Sequence, residues 1–323
     1  MIKVTLAGQY PAHTFERLRE LLPENEFSLK AVSDQQEYDK MTDAEVMILR
    51  IFKAPKEVIE RNPNLKMILR WGAGFDSVDI EAAGAKGIYV TNTPGANAAA
   101  VSELAVLLML AVKRKLLCHF TSLEQGQWSK NLFINSSFTL NNKTVGIVGG
   151  GNIGRQVALK VQAFGARVQY YDPFRLSPEK EEEFRMQYVP FDELIMTSDV
   201  ITVHVPLLDS TFHMIGEKEI AAMKDGAVII NTSRGGIVDD HALAMAVKSG
   251  KLAGAGLDVV ENEPLAVGDE LLTNPNIIVT PHVGGGTADI GEAIMPMLAD
   301  DIKRFAKGEE PQFVVNKKFL VKQ

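Results

Sequence analysis

Residues 145–172 read VGIVGGGNIGRQVALKVQAFGARVQYYD, and no other stretch constrains the chain as tightly. A β-branched strand runs into three consecutive glycines, then a helix, a second strand and a terminal acid. That is a βαβ unit with glycines at GxGxxG spacing: Gly149, Gly151 and Gly154. A lone GxGxxG need be no more than a tight turn. In this setting the three glycines have separate roles. Gly149 permits the turn, Gly151 lets a pyrophosphate approach the backbone, and Gly154 packs helix on strand. The helix N-terminus offers N–H groups and the positive end of its dipole to phosphate. Asp172 ends the second strand about 20 residues after Gly151, where an acid bonds the ribose 2′-hydroxyl. A carboxylate there repels a 2′-phosphate, so the expected cofactor is NAD rather than NADP. Arg175, shortly after it, is the charge that would blunt the repulsion.

The alternation of strand and helix extends along the whole chain and predicts an α/β fold with parallel sheets. A first set of short strands reads IKVTLAG, FSLKAV, EVMIL, LKMIL and IYVTN, separated by amphipathic segments such as AHTFERLRELL. A second set reads TVGIVG, RVQYYD, DVITVHV, AVIINTS, AGAGLDVV and NIIVTP. Six strands alternating with helices match a doubly wound dinucleotide fold. Between the sets, residues 98–117 are apolar almost all round and predict one buried helix. Lys113, Arg114 and Lys115 fall in its last turn, a favourable place for cations. Residues 288–307 predict a further amphipathic helix. The expectation is two α/β domains with 98–117 as the crossing element and the active site in a cleft between them. No period of 20–50 residues recurs, so the chain is not a solenoid.

Three loops at the carboxyl ends of second-set strands carry chemistry-bearing side chains: NTSRGGIVD with Arg234, LDVVENEP with Glu263, and TPHVGGG with His282. Open α/β sheets place their sites at that edge. Hydride transfer at a carbinol carbon needs a group that moves the hydroxyl proton near neutral pH, and histidine suits it. A carboxylate partner fixes the tautomer and favours the imidazolium. An arginine clamps a planar carboxylate bidentately. Singly, Arg234 reads as a loop ion pair, Glu263 as a turn residue before Pro264, and His282 as a packed histidine. Together, beside the glycine turn, they suit oxidation of a 2-hydroxy acid. His204 sits in an apolar run and reads as core or cofactor lining, and Asp239 beside His241 reads as a helix N-cap. No HExxH or Cys/His cluster points to a metal.

The chain resembles the D-isomer-specific 2-hydroxyacid dehydrogenases over nearly its whole length. The resemblance rests on RWGAGFDSVD, NTPGANAAAVSELAV, VGIVGGGNIG, HVPLLDST, MKDGAVIINTSRGGIVDDHAL, GAGLDVVENEP and TPHVGGG, in that order. It implies a Rossmann cofactor domain over 99–288. It also implies a flavodoxin-like substrate domain made of 1–98 and 289–323, and a homodimer. By the same resemblance Arg234 would bind the substrate carboxylate and carbonyl, His282 would be the acid–base, and Glu263 would orient it. Amides around Ala73 and Gly74 would hold the carboxylate from the substrate domain. Asn152, Ile153, Asp172, Val205, Thr232, Asp258 and Gly284 match positions that line the NAD. Arg50 and Arg70 match arginines that meet the charged end of substrate in 3-phosphoglycerate dehydrogenases. Trp71 departs from those enzymes, which carry a small residue there, and its bulk favours hydroxypyruvate, glyoxylate or another small 2-oxoacid. The regulatory domain of longer phosphoglycerate dehydrogenases has no counterpart in the sequence. An NAD(H)-sensing binding protein of the corepressor type is the alternative from another class.

Composition narrows the partners. The formal net charge of −7 argues against nonspecific affinity for nucleic acid or an anionic membrane. The longest apolar run, 104–112, is too short to span a bilayer. A single cysteine, Cys118, rules out an intramolecular disulfide framework and fits a reducing cytoplasm. The acidic run 178–185, PEKEEEFR, predicts a solvated helix face.

Overall fold

The computed structural model describes residues 1–321. The chain divides into two compact units, Met1–Asn97 with the segment from Gly285 onward, and Ala98–Gly284.

The first unit is built on five strands: β1 (Ile2–Ala7), β2 (Phe27–Val32), β3 (Val46–Leu49), β4 (Met67–Arg70) and β5 (Tyr89–Thr91). Their order is β2-β1-β3-β4-β5 and every pairing is parallel. This is the 2-1-3-4-5 order of flavodoxin-like sheets. The central strand β3 is buried at every residue, as a strand covered on both faces must be. The chain's last segment returns to this sheet for a polar reason. Buried Asn316 accepts the Val90 N–H through Oδ1 (3.0 Å) and donates through Nδ2 to Ile88 O (2.9 Å), completing the edge at β5.

The second unit carries seven strands: β6 (Thr144–Val148), β7 (Arg167–Tyr171), β8 (Gln187–Tyr188), β9 (Val200–Val203), β10 (Ala227–Asn231), β11 (Leu252–Leu257) and β12 (Ile277–Val279). The order β12-β11-β10-β9-β6-β7-β8 is all parallel. Counted from β6, it is the Rossmann order 3-2-1-4-5-6 with one more strand beyond the sixth. Strand β8 has no counterpart among the strands expected from sequence. It is two residues long, too short to show a period of two, and it sits at the sheet edge.

A second difference lies at residues 98–117. They do not form one helix. Helix Ala98–Lys113 stops, Lys115 takes a left-handed conformation (φ 54°), and helix Leu116–Glu124 begins. Buried Lys115 anchors the break, its Nζ donating to Ala253 O (2.7 Å) and Asn276 Oδ1 (2.8 Å). The cation therefore serves neighbouring carbonyl groups rather than a helix end. The charge run at 178–185 behaves as expected: helix Pro178–Phe184 buries no residue. Among the described residues no helix is long and apolar enough to cross a membrane.

Candidate active site

All the chemistry-bearing loops of the second unit follow the carboxyl ends of parallel strands, so they share one edge of its sheet. The glycine turn follows β6. Gly149 has φ +105°, and a Cβ on it would lie 2.6 Å from His204 O and 3.0 Å from Val205 Cγ1. Gly154 packs the helix Asn152–Ala163 onto the turn so closely that a Cβ would meet Gly149 O at 2.1 Å. Gly151 differs from both, since a Cβ there would meet nothing within 4 Å. Two glycines are thus required by packing, and the middle one faces open space at a helix N-terminus with no side-chain cap. That is the cradle a pyrophosphate needs.

Asp172, one residue past β7, is joined to this turn. Its Oδ2 accepts the Gly150 N–H (2.8 Å) and its Oδ1 the Phe174 N–H (2.9 Å). Arg175 is turned away onto Glu181 (2.8 Å), so it does not offset the Asp172 charge. Asn152 opens the helix with its Oδ1 accepting from Arg155 Nη2 (2.7 Å), and Ile153 packs against the core beneath. After β10, Thr232 Oγ1 is buried with no hydrogen-bond partner among the described residues, which suits a group that meets a ligand. His204, just beyond β9, bonds Thr202 Oγ1 through Nε2 (2.9 Å). Burial drives its pKa down to about 3, so the ring is neutral lining and no acid–base. These residues fit a dinucleotide.

Asp258, after β11, is almost wholly buried and saturated with donors. Oδ1 accepts from Thr280 Oγ1 (2.6 Å) and the Val283 N–H (2.8 Å), and Oδ2 accepts from the Gly284 N–H (2.8 Å). One carboxylate thereby shapes the turn that presents His282. His282 is left-handed (φ 52°), uncommon for a residue with a side chain and frequent at functional sites. Its Nδ1 lies 2.9 Å from Glu263 Oε2. The carboxylate only accepts, so the proton sits on Nδ1 and Nε2 is left for a reacting group. The two side chains are 49% and 40% exposed, within reach of a small molecule.

Arg234 follows β10 in a turn fixed by Asn231, whose Nδ2 donates to Arg234 O (2.9 Å) and whose Oδ1 accepts from Ser233 Oγ (2.7 Å). The adjacent Gly235 is a close-contact position that sequence reasoning did not single out. A Cβ there would lie 1.8 Å from Val260 O. The Arg234 turn and the Glu263 loop therefore touch backbone to backbone.

In the first unit, Arg50 and Arg70 stand on neighbouring strand ends, Leu49 pairing with Arg70. Arg70 donates to Leu49 O (2.9 Å) and Gly74 O (3.1 Å), and Arg50 donates to Gln9 O. Ala73 O accepts from Asn92 Nδ2 (2.7 Å), which fixes the 73–74 turn.

A glycine turn, an acid bonded to it and a hydrogen-bonded histidine on one Rossmann edge define an NAD-dependent oxidoreductase. The family model for the D-isomer specific 2-hydroxyacid dehydrogenase NAD binding domain matches residues 106–284. The chain is 42% identical to a glyoxylate reductase of Thermococcus litoralis, covering 87% of this chain and 86% of that one. It is 42% identical to a hydroxypyruvate reductase of Thermotoga maritima, over 82% and 87%. A D-3-phosphoglycerate dehydrogenase of Archaeoglobus fulgidus is 41% identical over 82% of this chain but only 50% of its own length. Among solved structures, a glyoxylate reductase from Paecilomyes thermophila superposes with a TM-score of 0.84 at 32% identity, covering 98% and 99%. This chain belongs to the D-isomer specific 2-hydroxyacid dehydrogenases.

The role of Asp172 makes a prediction. Asp172→Ala removes the carboxylate expected to accept from the ribose and loosens the Gly150 turn, so NADH affinity should fall about 10- to 100-fold, the range of one charged hydrogen bond. The gap to NADPH should narrow. Fluorescence titration with both nucleotides checks this, and a wild type that binds NADPH as well as NADH would remove the assigned role.

Proposed function

We propose that this chain is an NADH-dependent reductase of small, unphosphorylated 2-oxoacids of the glyoxylate and hydroxypyruvate type. The observation that carries the reading is the bond from His282 Nδ1 to Glu263 Oε2 on the sheet edge that also presents Arg234 and the glycine turn. Gly149, Gly151, Asn152, Ile153 and Gly154 would hold the pyrophosphate and Asp172 the ribose. Val205, Thr232, Asp258 and Gly284 would line the remainder. Bound NADH supplies the hydride. Arg234 clamps the substrate carboxylate and polarises the carbonyl. In the reductive direction His282 starts as the imidazolium and delivers its Nε2 proton to the carbonyl oxygen as it becomes a hydroxyl. In the oxidative direction it starts neutral, protonated on Nδ1, and Nε2 takes the proton back. Glu263 keeps the ring in that orientation. The first unit binds substrate through the amides near Ala73 and Gly74.

Trp71 supports the small-substrate reading. It is 7% exposed, meets Tyr10 edge to face with centroids 5.0 Å apart, and abuts helix Ile290–Ala306 at Gly291. Buried and packed on both sides, this ring is the bulk that favours a small 2-oxoacid over a longer one. Arg50 and Arg70 bond main-chain carbonyls and brace their loops. The relatives this chain spans almost end to end are named for glyoxylate and hydroxypyruvate, while the phosphoglycerate enzyme is matched over half its length. Turnover of NADH with glyoxylate, hydroxypyruvate and 3-phosphohydroxypyruvate is the test. The first two should lead, and Arg70→Ala should cost all three equally. A best rate with the phosphorylated acid, lost selectively in Arg70→Ala, would reverse the assignment. No turnover with any 2-oxoacid would favour a binding protein that senses NAD(H).

A homodimer, in the cytoplasm, completes the proposal. Helix Leu116–Glu124 buries only Cys118. Around it Leu116, Phe120, Leu123, Trp128, Ile134 and Phe138 are exposed, Trp128 at 83%. So large an apolar face marks an interface, and a second copy of the chain is its proposed occupant. Sedimentation should give twice the chain mass of 35.4 kDa, and Phe120→Glu with Trp128→Glu should halve it. A wild-type monomer at micromolar concentration would remove the dimer.

A further inference from the structure

Behind the Glu263 loop lies a second set of ionisable groups. Asp239 and Asp240 open helix Asp240–Ser249. Asp239 caps it, accepting the Ala242 N–H at 2.9 Å. Asp240 does not cap. Its Oδ2 reaches across and accepts the Glu261 N–H at 2.7 Å. Glu261 lies two positions before Glu263, and its own carboxylate meets His213 Nε2 at 3.1 Å. His213 Nδ1 stands 3.7 Å from Asp239 Oδ2, closing a ring of contacts. His213 is itself held: its ring stacks on Phe212 at 4.0 Å, and its backbone N–H donates to Gly236 O at 2.7 Å. Two catalytic loops, those of Arg234 and Glu263, are thereby tied to a third segment.

We propose that Asp240 and His213 are positioning residues for the acid–base pair, their bonds to Glu261 fixing the turn that aims Glu263 at His282. The inference rests on the acid–base reading given above. Val260 is held by the core and by its backbone contact with Gly235, but beyond it the Val260 N–H reaches Glu263 Oε1 only at 3.4 Å, so the Glu261 bonds are what reach the turn nearest Glu263. A carboxylate that must hold the His282 ring to a fraction of an ångström needs such support.

Asp240 is kept at a cost. Burial pushes its carboxyl up to about 6, opposed by the Glu261 N–H and reinforced by the carboxylates of Glu261, Asp269 and Asp239. His213 faces Asp239 and Glu261 from the third segment, and His241 pairs with Glu270 on the outer side. An acid whose pKa is raised by folding favours the folded state at low pH and opposes it once the pH rises through about 6. An isosteric amide at 240 should therefore stabilise the protein at pH 7.5, with the gain vanishing as the pH falls below that value. An acid held above its ordinary range by burial that still makes one well-formed bond to the Glu263 loop is what a trade of stability for activity looks like.

The experiment uses the full chain with NADH and glyoxylate. Asp240→Ala removes the acceptor and should lower kcat on the order of tenfold through misplacement of Glu263, with NADH affinity unchanged. Asp240→Asn keeps an acceptor oxygen for the Glu261 N–H and should restore kcat while raising Tm at pH 7.5. Nitrogen-15 NMR of the His282 ring gives a readout independent of turnover. The hydrogen-bonded Nδ1–H resonance should persist in wild type and Asp240→Asn and be lost in Asp240→Ala. If Asp240→Ala fails to fold, His213→Ala and His213→Gln carry the same comparison from the other end of the chain of bonds, Gln keeping a donor toward Glu261. Wild-type kcat and an intact resonance in the alanine variants would overturn the proposal. So would an Asn variant as slow as the Ala one, since the charge and not the bond would then be responsible. A wild type that reduces no 2-oxoacid sinks the functional reading alone, and the ring resonance still decides the positioning.

Discussion

His282→Ala should lose roughly 10²–10⁴ of kcat in 2-oxoacid reduction, the usual share of general acid–base catalysis, while NADH binding largely survives. The reason is a division of labour visible in the second unit. The glycine turn after β6 and Asp172 after β7 carry the dinucleotide features. His282 sits after β12, held by its N–H bond to Asp258 O (2.9 Å) and its ring bond to Glu263. Removing the imidazole leaves the cradle intact and takes away the proton. The left-handed backbone at 282 complicates a single substitution, because alanine is strained there as well. His282→Asn separates the two effects. Asparagine tolerates that conformation but donates no acidic proton, so it should be as slow as alanine while matching wild type in Tm. An asparagine variant with near-wild-type kcat would place the proton donor elsewhere, and loss of NADH binding in both variants would give His282 a cofactor role instead.

The parts of this molecule legible in the sequence are those where one residue type answers one local demand. Gly149 has positive φ, Gly154 leaves no room for a methyl, and Gly151 faces open space, so the turn and the packing expected of the first and third glycines are visible in the structure. The alternation of strands and helices gives two parallel sheets because each strand is long enough to show its apolar run. Strand β8, two residues at a sheet edge, is not. The break between helices 98–113 and 116–124 is invisible for another reason. Lys115 adopts the left-handed conformation without glycine or proline to announce it, and what holds it there is a pair of acceptors more than a hundred residues away in sequence. The same applies to the support of the site. Asp240 looks like one more acid at a helix start, and only the fold shows that its bond goes to Glu261. Arg50 and Arg70 are expected as anion ligands only from the family resemblance, and the main-chain carbonyls to which both donate are brought to them by the fold.

Gly235→Ala should be as damaging as the loss of a catalytic side chain, although residue 235 itself carries no reacting group. Its added methyl would lie 1.8 Å from Val260 O, 2.2 Å from Val260 C and 2.8 Å from Glu261 N. All three atoms are backbone, so no rotamer change relieves the overlap. Either the turn bearing Arg234 or the loop bearing Glu263 must retreat, by about 1 Å or more to restore ordinary contact. A displacement of that size in a positioned group costs about 10²-fold in rate. The backbone at 235 is not in the left-handed region, so the effect is one of space and not of strain. The expected pattern is therefore specific. The value of kcat/KM for the 2-oxoacid falls about 10²-fold, with KM raised if Arg234 holds the substrate carboxylate as proposed. NADH affinity stays near wild type, because the glycine turn follows β6, which β9 separates from β10. Gly150→Ala is the control, since a Cβ there meets only side-chain carbons of Tyr170 and Leu176 at 3.3–3.4 Å. It should spare substrate kinetics. Steady-state kinetics of both variants, read beside NADH titration, decide the matter. A Gly235→Ala enzyme with wild-type kcat/KM would mean that the Arg234 and Glu263 loops move independently, and that their backbone contact does not set the geometry of the site.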